Sequence, residues 1–417
     1  MVRARSRRSP WTRRRDRVVA VSLAVGVALA GVLAWRTGDS VDTEQVTTGE
    51  PAPELQSPAR VPGSFAQLWS APSSATPAPV AVGGTVVTAE DGAVTGRNAR
   101  TGEPRWSYTR DLDLCAVSDH WDKVTAAYRK EDGCSEVTQL DPESGHRTAQ
   151  RNGDAQADAR LTGDGKHLVT TGETLLNAWS EDLVRTMEYG DVPAKVHPGK
   201  QPRQGCAYGS VTVAAGRVGV VERCPDDDTD RLTVIGTTHQ ADDEMRSDEP
   251  DEHYSTTLDG TSARVIAMSE EEAGVAAVAT GEDQQLVVYG PDGERQAGYQ
   301  LQLPADDLAG DPDGRVVTTS RVGDTVYWYT GSGTIALAGA SLEPLWSLPD
   351  TLGPPVAYGD ELLMPIDGGL AVVDAGTGEA ERTISVDRGA YAGPVRLATS
   401  GPVLLEQRAG ELVALGG

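Results

Sequence analysis

The residues with the greatest potential for chemistry are four cysteines, which fall in two close pairs. Cys115 lies near Cys134, and Cys206 lies near Cys224. Of the three possible pairings, the local one is favoured, because each bond then closes a short loop. Two disulfides would indicate an oxidising compartment, and the alternative is four reduced, buried thiols. A zinc site is disfavoured, because the sequence has no C-x-x-C spacing and no histidine near these cysteines.

Other reactive residue types do not form a recognisable site. The six histidines lack metal-binding spacing, and no serine stands in a G-x-S-x-G turn. The acidic run at residues 226–230 invites a calcium interpretation, but an EF-hand needs glycine at its sixth position and glutamate at its twelfth. Arg231 and Thr237 stand there instead. The run is therefore interpreted as a solvated loop, and we expect no catalytic residue, no metal and no cofactor.

Charge is distributed very unevenly along the 417 residues, whose formal net charge is −25. Residues 1–35 hold eight arginines and one acid, whereas residues 36–417 hold 29 basic and 61 acidic residues. So acidic a domain disfavours nucleic-acid binding. With 38% hydrophobic residues, the chain is also too polar for a protein with many membrane spans.

An uncharged apolar run at residues 18–35 follows the arginines. As a helix it would be roughly 27 Å long, which is enough to cross the core of a bilayer. The arginines predict a cytoplasmic N-terminus, and Trp35 suits the far interface. The prediction is an uncleaved anchor, while the alternative is a signal peptide cleaved after the A-x-A pattern at residues 28–30. The arginine pairs near the N-terminus only loosely resemble a twin-arginine export signal.

The predicted organisation has four parts. Residues 1–17 form a cytoplasmic arginine-rich tail, residues 18–35 the transmembrane anchor, and residues 36–64 a flexible Pro-rich linker. A repeat organises residues 65–417. Short hairpins, each with a Gly/Asp turn followed by a β-branched strand, recur at eight places, marked by residues 84, 122, 165, 216, 273, 313, 360 and 401. Their spacing is typical of four-stranded propeller blades.

A second element follows the hairpins and combines a strand, a Thr-Gly-Glu turn and a strand with tryptophan. The clearest copy has Gly102 in its turn and Trp106 four residues later, and Gly378 lies in a matching turn. Trp346 stands in another copy of the tryptophan strand. Glycine supplies the turn conformation, and tryptophan is large enough to fill the gap between neighbouring blades. We therefore interpret these tryptophans as packing residues rather than as a set that stacks on a ligand.

These copies resemble the PQQ-like repeat of quinoprotein-type β-propellers, which occurs in PQQ-dependent dehydrogenases and in BamB-like outer-membrane assembly lipoproteins. The resemblance covers residues 65–417 and is weak between about residues 186 and 260. It implies an all-β, eight-bladed propeller, with a seven-bladed ring as the alternative. The dehydrogenases carry adjacent cysteines beneath their quinone, and this chain does not. The fold resemblance therefore does not bring the cofactor with it.

The two ends of the repeat region are complementary. The chain ends in a strand at residues 412–415 with no tryptophan strand after it, and Trp69 lies in a tryptophan strand with no blade before it. We expect residues 68–70 to pair with residues 412–415 and to close the ring, which removes an exposed sheet edge.

Two insertions near the fourth blade are candidates for partner binding. Residues 192–205 contain Lys195, Lys200 and Arg203 and no acid, whereas residues 242–252 contain seven acids and one arginine. Long surface loops often bind partners, although both could simply be solvated. Because the insertions flank one blade, they could also attract each other.

The sequence thus predicts a monomeric, single-pass propeller on the extracytoplasmic side of the cell membrane. Its expected role is non-catalytic, as a protein-binding or scaffold module of the cell envelope with an unidentified protein partner. The alternative is an extracytoplasmic enzyme, or a propeller that binds a sugar or another small ligand.

Overall fold

The computed structural model describes residues 14–36, 43–53, 55–193, 200–238, 249–270 and 274–417, and the chain divides into two units at Gln45. The first unit holds one α-helix, Arg14–Arg36. Its stretch Arg14–Leu33 has a mean hydropathy of 1.9, and none of it is buried in the protein. Valine, leucine and alanine thus form a helix that is long and apolar enough to cross a membrane. A signal sequence near the N-terminus has the same length and composition.

The second unit is an eight-bladed, all-β propeller, as predicted. Each blade is an antiparallel four-stranded sheet, named here from the innermost strand to the outermost. The first four blades comprise Val80–Val82, Thr85–Glu90, Ala93–Asn98 and Pro104–Thr109; Leu114–His120, Lys123–Lys130, Gly133–Leu140 and Arg147–Asn152; Leu161–Gly163, Leu168–Thr170, Leu175–Trp179 and Arg185–Gly190; and Ala207–Ala214, Arg217–Arg223, Arg231–Gly236 and Glu252–Thr257.

The other four blades complete the ring. They comprise Ala263–Met268, Ala276–Thr280, Gln285–Tyr289 and Arg295–Gln300; Thr319–Val322, Thr325–Tyr329, Gly333–Ala338 and Pro344–Pro349; Val356–Tyr358, Glu361–Ile366, Gly369–Val373 and Ala380–Ser385; and Val395–Ser400, Val403–Arg408, Glu411–Gly416 and Ala66–Pro72. A further short strand, Glu44–Val46, pairs outside Pro104–Thr109, and two 3-10 helices, Ala305–Leu308 and Asp313–Arg315, precede the sixth blade.

Burial explains why these segments are strands. Every residue of Leu175–Trp179 and of Gly369–Val373 is buried, because the middle strands of a blade pack against both neighbouring blades. The outer strand Pro344–Pro349 instead alternates between half-buried and exposed residues, since one of its faces meets solvent. The core therefore lies between the blades, in a series of apolar clusters around the ring.

Six of the eight predicted hairpins coincide with the turn between the first two strands of a blade, and the sixth prediction was wrong. The marker of the fifth, residue 273, lies outside the described residues. Residue 313 lies in the 3-10 helix Asp313–Arg315, before the sixth blade begins. The true turn is at Gly323, between Thr319–Val322 and Thr325–Tyr329. The Gly/Asp pattern at residues 310–314 does form turns, but these turns join 3-10 helices rather than strands.

The ring closes as the sequence predicted. Ala66–Pro72 pairs antiparallel with Glu411–Gly416, and Trp69 lies opposite Ala414. The first strand of the repeat region thereby becomes the outer strand of the eighth blade. Two strands from distant parts of the chain pair here, which completes the four strands of the eighth blade and closes the ring.

The predicted tryptophans pack between blades. The indole Nε1 of Trp106 donates to the Pro142 carbonyl at 2.8 Å, and its ring covers Gly145 in the turn of the second blade. A Cβ on Gly145 would lie 2.6 Å from the Trp106 ring. Trp69 and Trp346 cover Gly102 and Gly378 in the same way, with indole hydrogen bonds of 2.9 Å to Ala99 and Ala375, respectively. In the weakly matching region, Tyr254 takes this position over Gly293.

The expectation of a flexible linker over residues 36–64 does not agree with the structure from Gln45 onward. This N-terminal segment (residues 45–64, of which 45–53 and 55–64 are described) lies on the end of the ring that holds the first hairpin turns. Its contacts cross four blades: Thr48 N to Ser144 O (3.1 Å), Arg105 Nη2 to Glu50 O (2.5 Å), Leu55 against Gly401, and Val61 N to Glu361 Oε2 (2.5 Å). This segment binds to the ring through backbone groups and prolines, which needs no helical or strand periodicity in the sequence. Its composition alone therefore predicted a flexible linker.

Candidate functional site

The central channel is partly filled by residues 304–318, here called the crossing segment. It leaves the fifth blade and reaches the third and fourth blades before it returns to start the sixth. Arg223 of the fourth blade grips Asp311 with two hydrogen bonds of 2.8 Å. The Thr171 hydroxyl donates to the Gly314 carbonyl at 2.7 Å, and Val316 forms a parallel bridge with Val211. The segment is thus fixed at several points inside the ring.

Beside the crossing segment lies a cavity of about 460 Å³, here called the arginine cavity. Arg160, Arg264 and Arg396 line it together with the rings of Tyr329 and Tyr391. Each arginine stands within one residue of the start of an innermost strand. The cavity therefore opens at the end of the ring opposite the turns that the N-terminal segment covers.

The three arginines differ in their partners. Arg264 donates to the carbonyls of Asp307, Ala309 and Gly310 at 2.6–2.8 Å, which ties it to the crossing segment. Arg160 packs its side-chain stem against Gly314, where a Cβ would collide with it. Within the described parts of the chain, neither Arg160 nor Arg396 has a carboxylate at ion-pair distance.

Burial lowers the pKa of Arg396 to about 10, while the nearby Tyr329 acts in the opposite direction. The guanidinium still carries its proton at neutral pH. A half-buried cation without a counter-charge is unfavourable, and an anion in the cavity would relieve this cost. The arrangement is therefore suited to binding a negatively charged group rather than to proton transfer.

The candidate partner loop has a different structure from the one expected. Lys195 lies outside the described residues, and Lys200 is half-buried in the connection before the fourth blade. Arg203 is not a solvated cation: it donates to Tyr189 Oη at 2.7 Å, to Glu222 Oε2 at 3.1 Å and to Glu252 Oε2 at 2.5 Å. The last contact joins the bases of the two insertions, which agrees with their expected attraction.

Electrostatics holds this cluster in place. Burial opposes the charge of Arg203, but its hydrogen bonds and charged neighbours outweigh that effect and raise its pKa. Burial and the nearby Glu222 raise the pKa of the Tyr189 hydroxyl, which donates to Glu222 Oε1 at 2.9 Å. Arg203 is thus a structural ion-pair residue, and only the small exposed part of its side chain could contact a partner.

The four cysteines form the two predicted local disulfides, Cys115–Cys134 in the second blade and Cys206–Cys224 in the fourth. Cys206, Glu222 and Cys224 lie close enough together to suggest a metal site, but both sulfur atoms are already bonded to each other. The acidic run nearby also has structural partners. Asp227 pairs with Arg231 at 2.7 Å, and Asp230 accepts a hydrogen bond from the Ala263 amide at 2.8 Å.

A wider cleft of about 800 Å³ lies between the first two blades. Its lining mixes acids with arginines that are already engaged. Arg110 pairs with the buried Glu136, and Arg97 donates to the Thr88 hydroxyl and the Gly102 carbonyl. Glu136 therefore balances the charge of Arg110, and Arg97 already donates hydrogen bonds within its own blade, whereas Arg160 and Arg396 have no carboxylate at ion-pair distance among the described residues.

Sequence reasoning missed the arginine cavity because its residues share no local motif. Arg160, Arg264 and Arg396 come from three different blades, and only ring closure brings them to one channel. A usable signal would have been an arginine next to the start of several innermost strands. That pattern could be seen only once the blade boundaries were known.

No protein-family model and no curated protein matches the chain. Similar solved structures exist. BamB from Moraxella catarrhalis is 14% identical, covers 85% of this chain and 100% of its own, and has a TM-score of 0.49. The computationally designed Ika8 protein is 13% identical over 84% of this chain and 98% of its own, with a TM-score of 0.53. Quinohemoprotein alcohol dehydrogenase ADHIIG from Pseudomonas putida HK5 is 11% identical over 85% of this chain and 76% of its own, with a TM-score of 0.52. The chain therefore shares its β-propeller fold with Ika8 and this quinoprotein dehydrogenase, and the likeness concerns the fold alone.

Proposed function

We propose that this chain is a membrane-anchored, extracytoplasmic propeller that acts as a non-catalytic protein-binding or scaffold module of the cell envelope. The observation that carries the proposal is the pair of long connections at the fourth blade. Residues 191–206 and 237–251 are two of the three longest connections between strands in the ring. Because propeller geometry requires only short turns, such long connections are available to contact a partner.

The base of these connections is rigid. Arg203 joins Glu222 and Glu252, and the Cys206–Cys224 disulfide fastens the start of the fourth blade. A rigid base lowers the entropy lost when a loop is ordered on binding. The first connection offers Lys195 and Lys200 on an otherwise acidic domain, so an acidic patch on the partner is the expected complement.

Three features support the proposed location. The apolar helix Arg14–Arg36 follows an arginine-rich tail, which favours a cytoplasmic N-terminus. All four cysteines come after that helix, and both pairs are bonded. Disulfides persist in oxidising compartments. Denatured protein from membranes should therefore resist alkylation until it is reduced, and two or more reactive thiols without reductant would contradict an extracytoplasmic domain.

The protein-binding role is tested by cross-linking in native membranes followed by affinity capture. The test variant is Lys195→Ser with Lys200→Ser, which removes charge from the first connection but keeps the structural Arg203. The matched control is Arg100→Ser with Arg295→Ser, two exposed arginines on other blades. Recovery of the cross-linked partner should fall at least several-fold in the test variant only. Equal recovery from both variants, or no specific partner with the wild-type chain, would refute the proposal.

A further inference from the structure

The arginine cavity holds more positive charge than the surrounding protein neutralises. Arg160 and Arg396 have no carboxylate at ion-pair distance within the described residues, although residues 36–417 carry more than twice as many acids as bases. Arg264 adds a third guanidinium group, whose Nε is buried without an acceptor. Acidic side chains are abundant in this chain, so a cavity that leaves two arginines unpaired is a ready site for an external anion.

The walls of the cavity suit a ring-shaped molecule. Tyr329 donates its hydroxyl to the Gly331 carbonyl at 2.5 Å, and Tyr391 donates to the Pro394 carbonyl at 2.6 Å. Both hydroxyls are therefore occupied, and the tyrosines offer the faces and edges of their rings. A volume of about 460 Å³ is in the usual range for small-molecule sites. Aromatic surface of this kind packs well against a planar or cyclic body.

The hydrogen-bond donors that remain available, rather than the total charge, point to a single carboxylate. Two N–H-bearing nitrogens of Arg264 already donate to backbone carbonyls. The guanidinium groups of Arg160 and Arg396 therefore remain to bind the carboxylate. Asp313 also lines the cavity and repels excess negative charge. A guanidinium group matches the planar geometry of a carboxylate, with which it can form two parallel hydrogen bonds.

We propose that the arginine cavity binds a small organic monocarboxylate with a ring-shaped body, whose carboxylate is held by Arg396 while Arg160 adds positive charge. The crossing segment forms one wall of this site and stays fixed through Asp311. The proposal is independent of the protein partner at the fourth blade, since the two sites share no residue. It makes the propeller a receptor for a small acid in addition to its proposed scaffold role.

The experiment measures the binding of benzoate to the full chain in detergent by isothermal titration calorimetry, with benzamide as the uncharged probe of the same shape. Benzoate should bind at least 10-fold more tightly than benzamide, and inorganic phosphate should compete poorly. Arg396→Gln should raise the Kd for benzoate at least 10-fold. The control variant Arg295→Gln, on the exposed outer strand of the fifth blade, should leave the Kd unchanged.

Arg160→Gln is the second test variant, in case Arg396→Gln does not fold, and it should weaken benzoate binding several-fold. Thermal unfolding shows which variants are native. Equal binding of benzoate and benzamide would overturn the proposal, and so would an unchanged Kd in a folded Arg396→Gln or Arg160→Gln variant. Failure of benzoate to bind the wild-type chain at millimolar concentration would also refute it, and none of these results bears on the protein partner.

Discussion

Several neighbouring blades are joined at their outer ends in one of two different ways. At one kind of junction, an aromatic ring from the outer strand covers a glycine in the next blade, as Trp106 covers Gly145. At the other kind, the outer strand has an alanine and the next turn has a leucine. Ala297 packs against the buried cluster that contains Leu342. The gap between blades thus needs a certain volume, which either blade can supply.

The leucine junctions carry a conformational cost that the glycine junctions avoid. Leu342 has φ 57° and is fully buried, and Leu183 has φ 56° and is also fully buried. The left-handed conformation costs a side-chain-bearing residue roughly 1–2 kcal/mol. Burial of a leucine side chain contributes about 1.5–3 kcal/mol, which offsets that cost. Ala149 lies four residues after Gly145, just as Trp106 lies four residues after Gly102. The second blade therefore has an alanine at the position of the tryptophan, and the turn of the third blade supplies Leu183.

The largest expected effect concerns the eighth blade, where strands from distant parts of the chain pair and close the ring. Removal of residues 411–417 takes away a strand that pairs on both sides, with Ala66–Pro72 and with Val403–Arg408. Each lost backbone hydrogen bond costs about 0.5–1.5 kcal/mol, and the strand also buries Leu412, Val413 and Leu415. We expect loss of cooperative unfolding by circular dichroism, whereas removal of Gly417 alone should be tolerated. A cooperative native-like melt of the truncated chain would contradict the closed ring.

The next largest effect concerns the junction of the first and second blades. Trp106 is 1% exposed and donates a hydrogen bond to Pro142. Trp106→Ala should lower the free energy of unfolding by about 3–5 kcal/mol, measured by urea denaturation. Ser107→Ala, on the neighbouring and less buried position, serves as the control. A loss below about 1 kcal/mol for Trp106→Ala would show that this junction does not depend on the aromatic ring.

A double-mutant cycle can convert one kind of junction into the other. Ala297→Trp alone should overpack against Leu342 and cost about 1–3 kcal/mol, and Leu342→Gly alone should leave a cavity and cost about 2–4 kcal/mol. The double variant places a tryptophan over a glycine, so the two losses should not add. We expect a favourable coupling of at least about 1 kcal/mol in urea denaturation. Additive losses would mean that the two kinds of junction are not interchangeable.

A smaller loss of stability is expected at the junction of the eighth and first blades. Trp69 is only half-buried, although it makes the same contacts as Trp106. Trp69→Ala should therefore cost about 1–2 kcal/mol, less than the 3–5 kcal/mol expected for a fully buried aromatic residue. Comparison of the two variants by urea denaturation separates burial from hydrogen bonding, because the hydrogen bonds are similar. A larger loss at Trp69 than at Trp106 would contradict this assignment.

Features with a local basis were predictable from the sequence. The turn glycines, the tryptophan strands and the complementary chain ends depend on short patterns, and the eight blades follow from their spacing. The crossing segment was misinterpreted because a Gly/Asp turn has the same residues whether strands or 3-10 helices flank it. The crossing segment is distinguished by the hydrogen bonds from Arg223 to Asp311, a contact between distant parts of the chain.

The candidate site was much less predictable than the fold. Arg203 was predicted to belong to a partner-binding loop, because its partners Glu222 and Glu252 lie on strands whose register the sequence does not show. The arginine cavity requires residues from three blades, and its unpaired charge is visible only when their surroundings are known. Local patterns thus determine the blades, whereas the site depends on how the blades are arranged.

The smallest predicted effect is pH-dependent and concerns the junction of the second and third blades, where the outer strand Arg147–Asn152 has no tryptophan. Here the first hairpin of the second blade supplies aromatic residues at the inner end. Trp121 donates to the Lys166 carbonyl at 3.0 Å, and His120 lies so close to Gly163 that a Cβ there would be 2.5 Å from its Nε2. Burial lowers the pKa of His120 to about 4 from the ordinary value of 6.5, although Asp164 acts in the opposite direction.

The unfolded chain therefore takes up a proton on His120 at a higher pH than the folded chain does. The stabilisation from neutral His120 is complete above about pH 6.5 and is lost as the pH falls from there toward 4. Since His120 is partly exposed, we expect a loss on the order of 1 kcal/mol between pH 7 and 5. The measurement compares urea midpoints of the wild-type chain and His120→Gln over this range. His120→Gln should show a weaker pH dependence, and parallel curves would mean that His120 titrates equally in both states and that this junction is not sealed against water.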